Sequence, residues 1–343
     1  MARVRVRSQL SLSRVQILAY RRRVGALNER LAPGADSLRA AAWAGLQDSM
    51  PRAALLSLHA RVRETAPSAW ADPSLVQIWG PRYSAYVVAD QDRAVFTLGR
   101  LPEQAKGRER AEQMATRLRE YLAGQRLPYD EIGQALEIHP NALRYAATTG
   151  TVLIHWNGAR RPVVWSVDEP GIEPADARRE LVRRYLHVFG PATSQTFAAW
   201  AGVSRQAADN AFTSLAGSLL AVETPIGGAW ILERDEPSFG LGDDPVAAAR
   251  LLPSGDAYFL HQRTERELLV PDPSRRAELW TSRVWPGAVM LDGEIRGTWR
   301  RADATVTVHS WGRLSRAHRQ AIEAEASSMP LPGLEGQIRV RWG

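Results

Sequence analysis

Cysteine is missing from all 343 residues, which excludes disulfides, a thiolate zinc site and an iron–sulfur cluster. Histidine is scarce too. The seven copies, His59, His139, His155, His187, His261, His309 and His318, form no His-x-x-x-His pair with an adjacent glutamate, so neither metal nor other cofactor is expected. No apolar run approaches the length of a membrane span, and the opening Met-Ala-Arg-Val-Arg-Val-Arg lacks the apolar core of a secretion signal. The expected location is the cytoplasm, beside the nucleoid. Lysine is almost absent: Lys106 is the only one.

What is abundant is arginine. Lysine and arginine together number 44 against 37 acidic residues, a formal charge of +7, and the pI is near 10.2. A polyanion is therefore the first partner to consider, and guanidinium groups suit bidentate contact with phosphate or a guanine edge. A G+C-rich genome accounts for much of the same bias. The length allows two to four small domains.

Read in order, residues 1–100 contain a helix over Val15–Leu31 stopped by Pro33-Gly34, then two short helices. Apolar runs at Leu75–Trp79, Ala85–Val88 and Ala94–Leu98 follow and read as strands. Residues 101–172 repeat the outline, with helices at Glu109–Leu122, Tyr129–Leu136 and Pro140–Ala147 before a hairpin over Thr151–Val167 turned at Asn157-Gly158. Residues 173–238 repeat it again: helices Ala177–Phe189, Thr193–Ala201 and Ser204–Leu215 around a Gly202 turn, then a hairpin Leu220–Leu232 bent at Gly227-Gly228. In residues 239–343, strands are expected at Leu268–Val270, Ala288–Leu291, Glu294–Arg300 and Thr305–Val308, followed by a helix Ser315–Met329 and a last strand ending at Trp342. The expected architecture is α+β: three tandem winged helices and a β-rich C-terminal module.

One stretch stands apart, Gly45-Leu46-Gln47-Asp48-Ser49-Met50-Pro51-Arg52. Helical stripes precede it (Leu38, Ala41, Ala42, Leu46) and follow it (Leu55, Leu58, Val62), with Pro51 admissible in a first turn. Gln47, Asp48 and Ser49 are thus expected at a helix-to-helix junction, where free N–H groups favour an anion or an oriented water. Asp48 or Ser49 acting only as a helix cap is the plainer alternative. Candidate DNA contacts are Arg52, His59 and Arg63 on one helix side, Arg82, and Trp156, Arg160 and Arg161 at a hairpin tip. Arg205, Gln206 and Asn210 on a third helix join them, as do Trp299, Arg300 and Arg301 at a basic, aromatic corner. For each, a solvated face or ordinary packing is the competing explanation.

The element order, together with Gly45-Leu46-Gln47 and Pro51-Arg52, Leu251-Leu252-Pro253 with Asp256 and Tyr258, and Val289–Arg300 with Asp292-Gly293, Gly297 and Trp299, resembles the AlkZ-like winged-helix DNA glycosylases over nearly the whole chain. The resemblance implies tandem winged helices around duplex DNA and hydrolysis of the N-glycosidic bond of bulky or N7-alkylated purines, in base-excision repair or in self-resistance to an alkylating metabolite. It also places an active-site pattern of glutamine, any residue, then glutamine or aspartate at Gln47 and Ser49. Ser49 departs from that pattern, with Asp48 one residue earlier, and Tyr86 stands where members often carry histidine.

An N7-alkylated guanine is cationic and leaves readily, so an enzyme needs chiefly to stabilise charge on the sugar and place a water at C1′. Asp48 is the candidate for that charge, with Gln47 and Ser49 orienting the water. With one lysine available for a Schiff base, a monofunctional enzyme is favoured. The alternative is a non-catalytic winged-helix DNA-binding protein or regulator. A monomer is expected.

Overall fold

In the computed structural model, residues 10–50, 52–158, 160–242, 246–262, 264–333 and 336–343 are described. Pro51 and the basic opening Met1–Arg7 lie outside them. The chain begins with a short strand β1 (Leu10–Ser11) and α1 (Arg14–Val24), where Ser13 and Gln16 cap each other reciprocally and Arg21, Arg22 and Arg23 complement the dipole in the last turn. The helix ends at Gly25, well before Pro33-Gly34, because Ala26 turns left-handed at φ 50° and Leu27 N closes back on Arg22 O at 2.9 Å. Then come α2 (Ala35–Ala41), β2 (Leu46–Gln47), α3 (Ala53–Arg61), the hairpin β3 (Leu75–Trp79) and β4 (Ala85–Ala89), and α4 (Arg93–Thr97). The run Ala94–Leu98 is therefore mostly helix rather than strand. Its Val95, Phe96 and Thr97 are buried in succession, which one face of a half-exposed strand cannot do.

The next segment holds α5 (Ala105–Leu122), β5 (Leu127–Pro128), α6 (Tyr129–Ala135), β6 (Val152–His155) and β7 (Val163–Ser166). The helix expected at Pro140–Ala147 is here a 3₁₀ run, Pro140–Thr149, in which Thr148 and Thr149 hydroxyls bond carbonyls three residues back. α7 (Pro174–Phe189), α8 (Ser194–Ala201), α9 (Arg205–Ser214), β8 (Leu219–Thr224) and β9 (Gly227–Leu232) follow closely the helices and hairpin read from the sequence. The bend falls at residues 225–226, and Gly227 opens β9 instead of turning it.

The remainder comprises α10 (Glu236–Phe239), β10 (Ala249–Leu252), α11 (Glu265–Leu269), α12 (Pro273–Leu279), β11 (Gly287–Leu291), β12 (Glu294–Ala302), β13 (Thr305–Ser310), α13 (Arg316–Ser327) and β14 (Arg339–Trp342). Leu268 and Leu269 sit in a helix, not the strand expected there. The Asp292-Gly293 turn is as read, both residues holding positive φ of 47° and 78°.

Three sheets organise these elements. The largest runs β2-β4-β3-β6-β7-β5 and crosses from residues 1–100 into 101–172, joined where Gln77 pairs with Ile154. β1 adds in parallel to β8, with Leu10 opposite Val222, which ties the start of the chain to the third segment. The third sheet, β10-β11-β12-β13-β14, forms the C-terminal module. One core joins the large sheet to the helices behind it: Ile78, Tyr86 and Phe96 pack with Leu181, Tyr185, Trp200, Ala257 and Leu260. Burial of this kind contributes about 1.5–3 kcal/mol per large side chain.

Candidate active site and nucleic-acid interface

Gly45 sets up the site. Its φ of +73° turns the chain from α2 into β2, and a Cβ there would lie 3.0 Å from Tyr86 and 3.1 Å from Phe96, so no other residue fits without a shift. Leu46 then pairs with Val87 and Gln47 with Tyr86, while Asp48 N donates to Ala85 O at 2.8 Å. The expected helix-to-helix junction is thus a strand. Side chains in a strand alternate, and this decides the chemistry: Leu46 and Asp48 point one way, Gln47 and Ser49 the other.

Asp48 points inward. It is 1 % exposed, Oδ1 accepts from Ala54 N at 3.0 Å and Oδ2 from Gln77 Nε2 at 2.8 Å. It is a cap of α3, the plainer of the two readings, and it does not share a face with its neighbours. Burial pushes its pKa up to about 7, against the pull of the α3 amides, Arg52 and Gln77. Gln47 is half-buried and Ser49 exposed. Gln47 Nε2 donates to Ser49 Oγ, and its Oε1 is buried with no hydrogen-bond partner among the described residues. Gly255, at φ +78°, packs against that amide, 3.2 Å from Cδ when given a Cβ. The two outward side chains therefore form one polar unit beside the C-terminal module.

α3 does not present a DNA-tracking side, because all nine of its residues are buried. His59 accepts from Arg30 Nη2 at 3.3 Å and meets Ser328 Oγ at 3.1 Å. Burial, with Arg30 and Arg250 nearby, lowers its pKa to about 3, so it is a neutral core histidine. The apolar packing of both helix faces overrode the seven-and-four spacing. Arg61, not singled out from the sequence, grips Asp256 with two bonds of 2.7 Å, and Ser57 adds a third of 2.7 Å. That explains the Asp256 string structurally. Arg52 and Arg63 stay accessible. The Arg52 backbone is left-handed at φ 65°, and its guanidinium lies 4.0 Å over Trp70, whose other neighbour is the His155 ring at 5.2 Å.

Arg82 lies in the turn between β3 and β4, where Arg82 and Tyr83 both hold positive φ, of 54° and 58°. Gly202 packs directly on the Arg82 backbone, where a Cβ would be 3.1 Å from its nitrogen. Trp156 is half-buried, and Arg160 and Arg161 are exposed at the β6–β7 tip. Arg205, Gln206 and Asn210 are exposed on α9, with Gln206 bonded to Asn210 at 2.9 Å and Asn210 to Glu103 at 3.3 Å. Trp299 is not a surface residue. It is 5 % exposed, its Nε1 donates to Leu252 O at 2.9 Å, and Gly287 leaves room for the ring. Strand alternation turns Trp299 inward while its neighbour Arg300 faces out, and Arg301 is exposed where the strand ends.

A hollow lined by Met50, Pro253, Ser254, Trp285, Arg300 and Arg301 opens next to Ser49. A larger groove, past Arg14, Arg296, Trp311 and His318, shares no lining residue with it. The family model described as DNA glycosylase AlkZ-like matches residues 40–330. The chain belongs to the AlkZ-like DNA glycosylase family. An interstrand DNA cross-link repair glycosylase from Streptomyces sahachiroi is 25 % identical over 173 residues, 49 % of this chain and 46 % of that protein. The match thus spans about half the length of that curated relative. The solved Streptomyces sahachiroi DNA glycosylase AlkZ superposes with TM-score 0.78 at 20 % identity, over 97 % of this chain and 100 % of that one. The likeness at that identity establishes the fold.

Three residues of this site escaped the sequence reading. Gln77 is polar inside an apolar strand, which was its only signal. Trp70 and Arg266 carried none: Arg266 lies 5.2 Å over Trp285 and donates to His261 O at 2.8 Å, in an arrangement that only folding creates. No carboxylate partner for Arg266 occurs among the described residues. No group of metal-ligating side chains occurs among them either, and no helix there is long and apolar enough to cross a membrane.

Proposed function

We propose that the chain is a monofunctional DNA glycosylase that hydrolyses the N-glycosidic bond of bulky or N7-alkylated purines in duplex DNA. The reading divides it into winged helices at 1–100, 101–172 and 173–238 and a C-terminal module at 239–343. The observation that carries it is the pairing of Gln47 with Ser49 on one outward face, one residue before Met50 in the hollow that bears Arg300 and Arg301. Ser49 Oγ accepts from Gln47 and keeps its own proton and a lone pair, enough to hold one water. In the reaction the C1′–N9 bond breaks and its electron pair passes into the base, neutralising the N7-alkyl cation. The held water bonds to C1′ and releases a proton to solvent. The products are the free N7-alkylpurine and an abasic deoxyribose. Lys106 opens α5 and lines neither the Gln47–Ser49 face nor the hollow, in keeping with hydrolysis rather than Schiff-base chemistry.

A second reading has its own support: with Asp48 turned inward, the outward face carries a hydroxyl where the family pattern has glutamine or aspartate. That favours a DNA-binding protein without catalysis. The deciding experiment incubates duplex DNA bearing N7-alkylguanine with the wild type, Gln47→Ala, Ser49→Ala and Ser49→Asp, scoring free base and alkali-labile sites. The glycosylase reading expects release by the wild type, a loss of about 10²-fold or more in Gln47→Ala, and release retained or raised in Ser49→Asp. No release by the wild type or by Ser49→Asp, with salt-dependent duplex binding intact, establishes the second reading.

A further inference from the structure

Gln77 sits in the middle of β3, opposite Val87 on one side and Ile154 on the other, and is 6 % exposed. One residue past the end of β6, its side-chain amide does what a neighbouring strand's backbone does elsewhere. Oε1 accepts from Trp156 N at 2.7 Å, and Nε2 donates to Trp156 O at 3.2 Å. The other Nε2 proton goes to Asp48 Oδ2 at 2.8 Å. Turning the amide over would set its oxygen against the Trp156 carbonyl and its NH₂ against the Trp156 N–H, so the Trp156 backbone sets the orientation and Asp48, accepting the remaining proton, braces it.

We propose that Gln77 is a positioning residue that holds the β6–β7 tip in register with the Gln47–Ser49 face, with Asp48 bracing its amide. The link is short, buried at Asp48 and Gln77 and part-buried at its far end: the N-terminus of α3, Asp48, Gln77, then the Trp156 backbone. Because Asp48 directly follows β2, between Gln47 and Ser49, the tip and the outward pair share one support. Where the tip meets a duplex is thereby tied to where C1′ meets the held water. The inference deepens the glycosylase reading and rests on its assignment of the tip to DNA contact.

The tip contains a convenient reporter. Trypsin cuts the Arg160–Arg161 bond but resists Arg161–Pro162, so one bond reads the mobility of the tip. Gln77→Met keeps length and loses all three hydrogen bonds. Asp48→Ala takes the acceptor away from the other Nε2 proton and leaves the amide held by Trp156 alone. In both variants cleavage at Arg160–Arg161, followed by mass spectrometry, is expected to accelerate about tenfold or more while the protein stays folded and the other cut sites keep their rates. Base release should fall in Gln77→Met. In a background of Trp156→Ala, Arg160→Ala and Arg161→Ala the same substitution should cost nothing further, since it acts through the tip. Unchanged cleavage in a folded Gln77→Met or Asp48→Ala protein overturns the proposal, as does equal loss of release in both backgrounds. If the wild type releases no base, the glycosylase reading falls, and the cleavage comparison still decides the role of Gln77.

Discussion

Asp48→Asn gives the sharpest test of how the candidate site is built. The carboxyl is buried and its pKa rises from 3.8 to about 7, so between those values the folded protein holds a proton that the unfolded chain has released. By linkage, stability from this group is fully present below pH 3.8 and is lost as pH rises through about 7. Each pH unit inside that window is worth about 1.4 kcal/mol. From pH 5 to pH 8 the wild type should therefore lose about 3 kcal/mol relative to a variant that cannot titrate there. Asparagine brings a fixed penalty of about 1–3 kcal/mol, because its single amide oxygen faces two donors, Ala54 N and Gln77 Nε2, and one bond stays unmade. The stability of the variant relative to the wild type should therefore rise by about 3 kcal/mol from pH 5 to pH 8. Urea unfolding of both proteins at the two pH values measures this directly. A stability difference that stays flat from pH 5 to pH 8 would refute the buried, proton-holding carboxyl.

Other consequences follow from where side chains point. Arg160→Ala and Arg161→Ala should each reduce the salt slope of duplex binding by about 1, whereas His59→Ala should leave the slope alone and lower the urea midpoint. Trp299→Ala should destabilise the C-terminal module by about 3–5 kcal/mol, since it empties a core site and strands the Leu252 carbonyl, without selectively weakening DNA binding. Gly45→Ala, forced to positive φ against Tyr86 and Phe96, should cost about 1–3 kcal/mol and slow base release, read by thermal melting and single-turnover assay.

How much of this was legible beforehand varied by element. α7, α8 and α9 were readable because each carries its own signals: a serine or threonine cap on α8 and α9, the Gly202 stop, and apolar residues at helical spacing. Asp292-Gly293 announced its turn for a similar reason, since few residues accept positive φ. The strand at Gln47 had no such local mark. Two residues are too few for a period to show, and Leu46 continued the helical stripe before it, so only pairing with Ala85–Val87 settles that Asp48 faces inward.

Composition and local spacing by themselves determined the arginine-rich, cysteine-free chemistry, the repeated helix and hairpin segments and the choice of residues 45–52 as a candidate site. Tertiary structure alone decided which side chains of that stretch meet solvent, that His59 and Trp299 are core, and that Gln77 joins Asp48 to a hairpin nearly eighty residues away. The reason is that helix spacing and caps are set by near neighbours in the chain. The side a two-residue strand shows to water depends instead on which distant strand it pairs with and on what packs behind it.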